Sequence, residues 1–373
     1  MRASAVAGII FANSYDELLE KLTSNRSMAS VPFGGRYRLI DFSLSNLVNA
    51  GITNVGVITK ENYRSLMDHV GSGVYWDLDR KNGGLRILPP YNIRGAKRYN
   101  GYIEAINGAM DFINRCNSEY MIICESEVVA NVDISKAVNY HIETHADVTV
   151  VYNNGRFPKN HPDTMLLSFD KDGRVNNIEF PSVEINGNAD YSLGIMIISR
   201  KLLVQLIEDA YNSECLGINR DILAPKVSKL RIYGFRHKGF AEVIDSEKTY
   251  YDANRLLLKD EVRHDLFNRS RPIFTKTKDD MPTRYGTKSQ VENSFIADGC
   301  IIDGTVKNSI LFRGVKVEKG AIIENSILMQ GVCVSQNAQL DYVISDKDAS
   351  IGADMILKGT SKKTFLVKKN QTL

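Results

Sequence analysis

From Ile296 onward the apolar residues of this chain fall into a register that few folds can accommodate. Ile296 is followed four residues on by Cys300. The same pairing recurs as Ile302 with Val306, Val317 with Ala321, Ile323 with Ile327, Leu328 with Val332, Val334 with Ala338 and Leu340 with Ile344. New pairs start mostly six residues apart, with a small or β-branched residue usual in the second place. A six-residue period is that of short strands stacked as a parallel β-helix, each strand sending one face into a narrow core. The period slips between Val306 and Val317 and again between Ile323 and Leu328, which predicts bulged or loop-bearing coils there. No histidine follows His264. Acyl transfer from a β-helix coil, which needs an imidazole base, is therefore not expected.

The N-terminal part has another texture. Short β-rich runs at residues 54–59 (NVGVIT), 120–125 (YMIICE), 147–152 (DVTVVY) and 191–199 (YSLGIMIIS) alternate with helical patterns such as ISKAVNYHIETH. This alternation predicts an α/β, largely parallel, Rossmann-like sheet whose ligands bind beyond the carboxyl ends of its strands. The chain thus divides into an α/β domain over residues 1–250, a connecting helix and linker over 251–288, and a β-helix over 289–373. The net charge is +3, and Lys and Arg are interspersed with acids. No basic run marks a nucleic acid or a membrane surface as a partner. The five cysteines form no Cys-x-x-Cys pair, which predicts free thiols in a reducing cytoplasm. The apolar run at residues 5–11 is too short to span a membrane and reads as a first strand. His141 and His145 share a helical spacing but lack an evident third ligand, so a solvated helix face is expected.

After that first strand, a nucleotide-binding fold would carry a glycine-rich loop to cradle phosphates. Here the turn reads Asn13-Ser14-Tyr15-Asp16-Glu17, with no glycine and two acids. Ser14 and Glu17 have the spacing of a capping box, with Leu18, Leu19 and Leu22 as an apolar stripe behind it. The expected outcome is a helix start occupied by the protein's own acids.

Residues 31–70, VPFGGRYRLIDFSLSNLVNAGITNVGVITKENYRSLMDHV, closely resemble glucose-1-phosphate adenylyltransferase (ADP-glucose pyrophosphorylase), and the likeness continues through YNGYIEAI, YSLGIMII, NRDILAPKV and the repeats. The resemblance implies a nucleotidyltransferase domain followed by a left-handed β-helix. It also implies in-line attack of glucose 1-phosphate on ATP, which joins the two as ADP-glucose with release of pyrophosphate, Mg2+ neutralising the phosphates. The family's phosphate loop, a glycine pair and Gly-Thr-Arg-Leu, falls on Asn13, Ser14, Asp16, Glu17, Leu18 and Leu19, and only the last leucine matches. Arg26 is kept, whereas the lysine that follows it in the family is Met28. The family's metal-holding aspartates fall on Glu127 and Glu242, each one methylene longer, and are read as remnants. Asp221 matches a further aspartate. Tyr99 and Gly101, with Ser192 and Gly194, match sugar-phosphate motifs, but the family's Glu-Lys-Pro clamp has no counterpart after Phe180. Arg26, Arg36 and Arg38 are candidates for an anionic effector.

Losses concentrated where the chemistry occurs, beside a legible scaffold, imply a regulatory subunit rather than an independent enzyme. The expected partner is a catalytic paralogue in a cytoplasmic heterotetramer. No catalytic residue, metal or other cofactor is expected in this chain itself; Mg2+ is expected in the partner. The alternative is an active nucleotidyltransferase with an altered site acting on a sugar phosphate.

Overall fold

A computed structural model of the chain describes residues 5–90, 99, 101–213 and 215–373. Besides a two-residue hairpin, Pro32–Phe33 with Tyr37–Arg38, the strands of the α/β domain are β1 (Val6–Phe11), β2 (Asn54–Ile58), β3 (Gly84–Leu88), β4 (Tyr120–Glu125), β5 (Val128–Ala130), β6 (Val148–Gly155), β7 (Leu166–Phe169), β8 (Val175–Glu179), β9 (Ala189–Ser199), β10 (Ile232–Arg236) and β11 (Ala241–Val243). Nine of them form one sheet in the order β8-β7-β9-β4-β1-β2-β3, with β6 bonded to both β9 and β10. All five runs marked as strands by the sequence, the first at residues 5–11 included, contribute to it. Strands β4, β1, β2 and β3 run parallel, as do β6 and β10, while β9 is antiparallel to β4 and β6. Strands β5 and β11 pair separately as a short antiparallel ribbon.

Every residue of β1 is buried, as a parallel strand covered on both faces requires. Ile10 faces α1 (Leu39–Asn49) through Leu44 and Leu47, whereas Ile9 faces α2 (Tyr102–Gly108) and α4 (Arg200–Asn212) through Ile103, Ile106 and Leu203. Helix α3 (Ile134–Glu143) starts where Asp133 accepts a bond from the Lys136 amide. Its expected histidine pair is not a solvated face. His141 is buried and its Nδ1 lies 2.8 Å from Thr149 Oγ1, while His145 sits beyond the helix at a positive φ of 48°. Burial against β6 decides this, because α3 must turn one face onto the sheet. The long helical pattern after Ser246 resolves into α5 (Glu247–Leu256) and α6 (Asp260–Leu266), so the boundary expected at residue 250 falls within α5.

The C-terminal domain is a three-sided parallel β-helix with five short strands stacked on each side. Ile302, Val317, Val334 and Ile351 fill one inner edge, and Val306, Ile323 and Leu340 another. The expected slips are neither bulges nor loop-bearing coils. Val306, Ile323 and Leu340 are each followed five residues later by Leu311, Leu328 and Ser345, which stack in register. The shortened step is a tight corner repeated coil after coil, turned by Asn308, Asn325 and Tyr342 at φ of 48°, 47° and 54°. Asparagine adopts this left-handed conformation more readily than most residues. The longer insertion lies instead at residues 359–364, between strands Ile356–Lys358 and Phe365–Val367.

One β-helix side packs on the α/β domain. Ile310, Phe312, Ile327, Met329 and Ile344 meet Phe33, Phe42, Tyr250 and Tyr251 in a shared core that also takes Leu19 and Leu22. Within it Arg26 Nη2 reaches both oxygens of Asp346 at 2.8 and 2.9 Å. Among the described residues no helix is long and apolar enough to cross a membrane.

Candidate functional site

Strands β1 and β4 end level, with Phe11 beside Glu125. The loop after β1 and the residues after β4 therefore frame the crevice in which a sheet of this kind takes its ligand. Here the loop folds into that crevice. Asn13 is buried and donates to Asp16 Oδ2 at 2.8 Å and to the Glu61 carbonyl at 2.9 Å, while its own Oδ1 accepts the Lys60 amide at 3.1 Å. Asp16 Oδ1 accepts the Met28 amide at 2.7 Å. The expected capping box does not form: a short 3-10 turn, Asp16–Leu19, begins after Tyr15 with no side-chain cap. The reason is competition, since Asp16 bonds across to residue 28 and leaves Glu17 exposed.

Tyr15 is 4% exposed. Its ring stands edge-on to His161 at 4.1 Å and lies 6.0 Å from Tyr102, and its hydroxyl donates to Asp163 Oδ2 at 2.7 Å. Tyr102, near the start of α2, lies 4.3 Å from the Phe11 ring and donates to Glu125 Oε1 at 2.9 Å. His161 Nε2 is 3.1 Å from Glu127 Oε1 and 3.9 Å from Glu125 Oε2. Asp163 is held in turn by Arg220 at 2.9 Å. Tyr15, Tyr102 and His161 thus form a plug over the strand ends, with two carboxylates behind it.

The electrostatics follow from burial. Glu125 is pushed well above the usual carboxylate range by desolvation and by facing Glu127, and desolvation raises Glu127 to about 7. Asp16 rises to about 6 because it is buried, against the bonds from Asn13 and Met28. His161 is held below its ordinary value by burial, although Glu125 and Asp163 pull the other way. A triphosphate entering here would meet buried carboxyl groups rather than amides, and the same burial that raises Glu125 and Glu127 would leave its charge without donors or water to compensate it.

Of the two remnant carboxylates, Glu127 faces His161, while Glu242 sits opposite Val129 on the short ribbon. Among the described residues, the His, Cys, Asp and Glu side chains close enough to share an ion are Glu125, Glu127 and His161, whose ligand atoms lie within 4.8 Å of one another. Glu242, on β11, lines a different cleft of about 650 Å³ with Tyr191, Arg156, Lys159, Asp245 and Asp252, and burial raises it to about 7. The Mg2+ that the family shares with nucleotide phosphates demands near-octahedral oxygen ligands and keeps several waters. Tyr15, Tyr102 and His161 occupy that room, so these residues do not fit it.

The sugar-phosphate candidates surround the same strand ends, each with a packing role. A Cβ on Gly101 would lie 2.5 Å from the Leu216 carbonyl oxygen, and one on Gly194, whose φ is +59°, 2.4 Å from Glu125 Oε2. Ser192 Oγ accepts the Met165 amide at 2.9 Å, and Tyr99 packs against Gly108. Asn100, between Tyr99 and Gly101, lies outside the described residues. Asp221 Oδ2 accepts the amides of Leu216 and Gly217 and so shapes the loop beside Gly101.

A second constellation lies where the two domains meet. Arg36, Arg38, Lys276, Lys278, Arg313 and Lys347 surround a cavity of about 210 Å³, with Asp68 and His69 at its wall. Arg38 Nη1 is oriented by Ser65, and Arg313 Nε is buried without a partner. Burial, then Arg38 and Arg26, push Lys347 down to about 7. Arg26 does not line this cavity; it is spent on Asp346. Sequence reasoning reached Arg36 and Arg38 but missed the four cations from the linker and the β-helix. It likewise missed Tyr15, Tyr102, Glu125 and His161, for which the one available signal was an acid on each side of Ser126 at a strand end.

Residues 7–179 match the nucleotidyl transferase family and residues 279–364 the GlmU-like C-terminal hexapeptide family. The glycogen biosynthesis protein GlgD of Bacillus subtilis (strain 168) is 36% identical over 97% of this chain and 95% of its own length. That of Geobacillus stearothermophilus is 39% identical over the same shares. The glucose-1-phosphate adenylyltransferase of Bacillus mycoides (strain KBAB4) is 32% identical over 94% of this chain and 92% of its own. With its two-domain fold and its relatives matched nearly end to end, the chain belongs to the family of glucose-1-phosphate adenylyltransferase and the glycogen biosynthesis protein GlgD.

Proposed function

We propose that this chain is a regulatory subunit of ADP-glucose pyrophosphorylase in glycogen biosynthesis, with little or no turnover of its own. It assembles in the cytoplasm with a catalytic paralogue, as a heterotetramer, and adjusts how that partner, which carries the Mg2+, makes ADP-glucose from ATP and glucose 1-phosphate. The observation that carries this reading is Tyr15 seated on His161 and over Glu125, where a nucleotidyltransferase would hold triphosphate. A nucleotide must expel a buried aromatic ring and then face buried carboxylates, and no glycine-rich loop offers amides in return.

The basic cavity between the domains supports the regulatory half. Its six cations suit a phosphorylated small molecule, and an anion bound there contacts the α/β domain through Arg36 and Arg38 and the β-helix through Arg313 and Lys347. Arg26 supports the same joint from within. Tyr99, Gly101, Ser192 and Gly194 are assigned to the scaffold of the former sugar-phosphate site.

The purified chain is incubated with ATP, glucose 1-phosphate and Mg2+, and pyrophosphate release is followed beside calorimetric titration with ATP. The expectation is no release above background and no saturable ATP binding. Robust turnover would establish instead an active nucleotidyltransferase with an altered site.

A further inference from the structure

The buried group behind the plug has a donor set that the proposed regulatory role leaves without a use. Glu125 and Glu127 stand at and just beyond the end of β4, and His161 comes from the segment between β6 and β7. The His161 and Glu127 side chains are 1% and 0% exposed, and that of Glu125 is 10% exposed. Among the described residues, His161 is the one basic side chain within ion-pairing distance of either carboxylate.

Two further observations point to a ligand. Glu127 Oε2 is buried without any hydrogen-bond partner, so this carboxylate carries binding capacity that the protein does not use. Such orphaned atoms are uncommon in native interiors and call for an explanation. Next to Glu125, a cavity of about 30 Å³ is walled by Tyr102, Asp163, Met165 and Gly194. That is room for a single water, for which about 10–15 Å³ suffices.

We propose that Glu125, Glu127 and His161 bind one divalent transition-metal ion of the zinc class, with a water in the adjoining cavity as fourth ligand. Two carboxylates and an imidazole are the donors such ions accept at low coordination number. Mg2+ is disfavoured by the imidazole and by the lack of space for its waters. The ion ties the end of β4 to the segment carrying His161, and with it the aromatic contact that holds Tyr15 in the crevice. It acts as a clip on the plug, and it does not depend on whether the chain regulates a partner.

The full-length chain is stripped with a chelator, dialysed, and titrated with Co2+ alone while the visible d–d absorption is recorded, followed by displacement with Zn2+. Wild type is expected to take up one equivalent, and Glu127→Gln and His161→Gln to bind at least about tenfold more weakly, the smallest loss that even outer-shell changes cause. Circular dichroism establishes that each variant is folded. X-ray absorption at the metal edge of the wild type gives a reading that needs no variant: a nitrogen and oxygen shell with one imidazole is expected. The absence of saturable binding, equal affinity in folded variants, or a shell of oxygen alone overturns the assignment.

Discussion

Replacing Arg26 by methionine strips the cation from a carboxylate that has little access to water. Arg26 Nη2 bonds both Asp346 oxygens at 2.8 and 2.9 Å, and the two side chains are 3% and 4% exposed. Removing one partner of a buried pair costs about 3–5 kcal/mol, because the other charge stays behind unpaired. Asp346 keeps one compensation, the Lys347 amide on Oδ1 at 2.7 Å, which places the expected loss near the lower end, about 3 kcal/mol. In Arg26→Met with Asp346→Leu both charges are gone, and buried pairs exchanged for apolar residues are often neutral, so that chain should lie within about 1 kcal/mol of wild type. The assay is urea unfolding of the four chains of the cycle, followed by circular dichroism, with the slope checked for unchanged surface exposure. A loss below about 1 kcal/mol in Arg26→Met, or a double variant no more stable than the single one, would refute the claim that this pair fixes the domain joint.

Three further outcomes are expected. Tyr15→Phe should lose about 1 kcal/mol in chemical denaturation, because Asp163 keeps Arg220, and it should gain no ATP binding since the ring remains. Gly194→Ala should lower stability by about 2 kcal/mol or more, through its positive φ and the approach of the new Cβ to Glu125; a change under about 0.5 kcal/mol contradicts that geometry. Lys347, with a pKa pushed down to about 7, is largely neutral above that pH, and an anion in the cavity favours its protonated form. Binding of sulfate, which keeps its charge over this range, should therefore take up a proton at about pH 8 and tighten as the pH falls through 7. Calorimetry in buffers of different ionisation enthalpy reads this directly, and Lys347→Met should flatten the dependence.

Much of the architecture is legible in local pattern. The runs at residues 54–59, 120–125, 147–152 and 191–199 carry enough apolar and β-branched residues to be strands in any context, and the spacing from Ile296 onward admits little besides a β-helix. The corner at Asn308 and Asn325 misled because a five-residue step recurring once per coil looks like an irregularity when only two instances stand out. The capping box at Ser14 failed for another reason. Local propensity competes with long-range bonds, and Asp16 finds the Met28 amide. The site residues were the least legible part. Tyr15, Tyr102, Glu125 and His161 are far apart in sequence and share no spacing, so only the level ends of β1 and β4 bring them together. Lys276, Arg313 and Lys347 join Arg36 and Arg38 only because the β-helix docks on the α/β domain.

The central claim is that this chain works through a partner. Its most direct test is co-expression with the catalytic paralogue from the same genome, followed by steady-state kinetics on the mixed assembly and on the paralogue alone, each with and without an anionic effector such as inorganic phosphate. The account predicts a stable mixed complex whose kcat, KM or effector response differs from that of the paralogue by itself. A paralogue that forms no complex with this chain, or one whose kinetics are unchanged by it, would contradict the account.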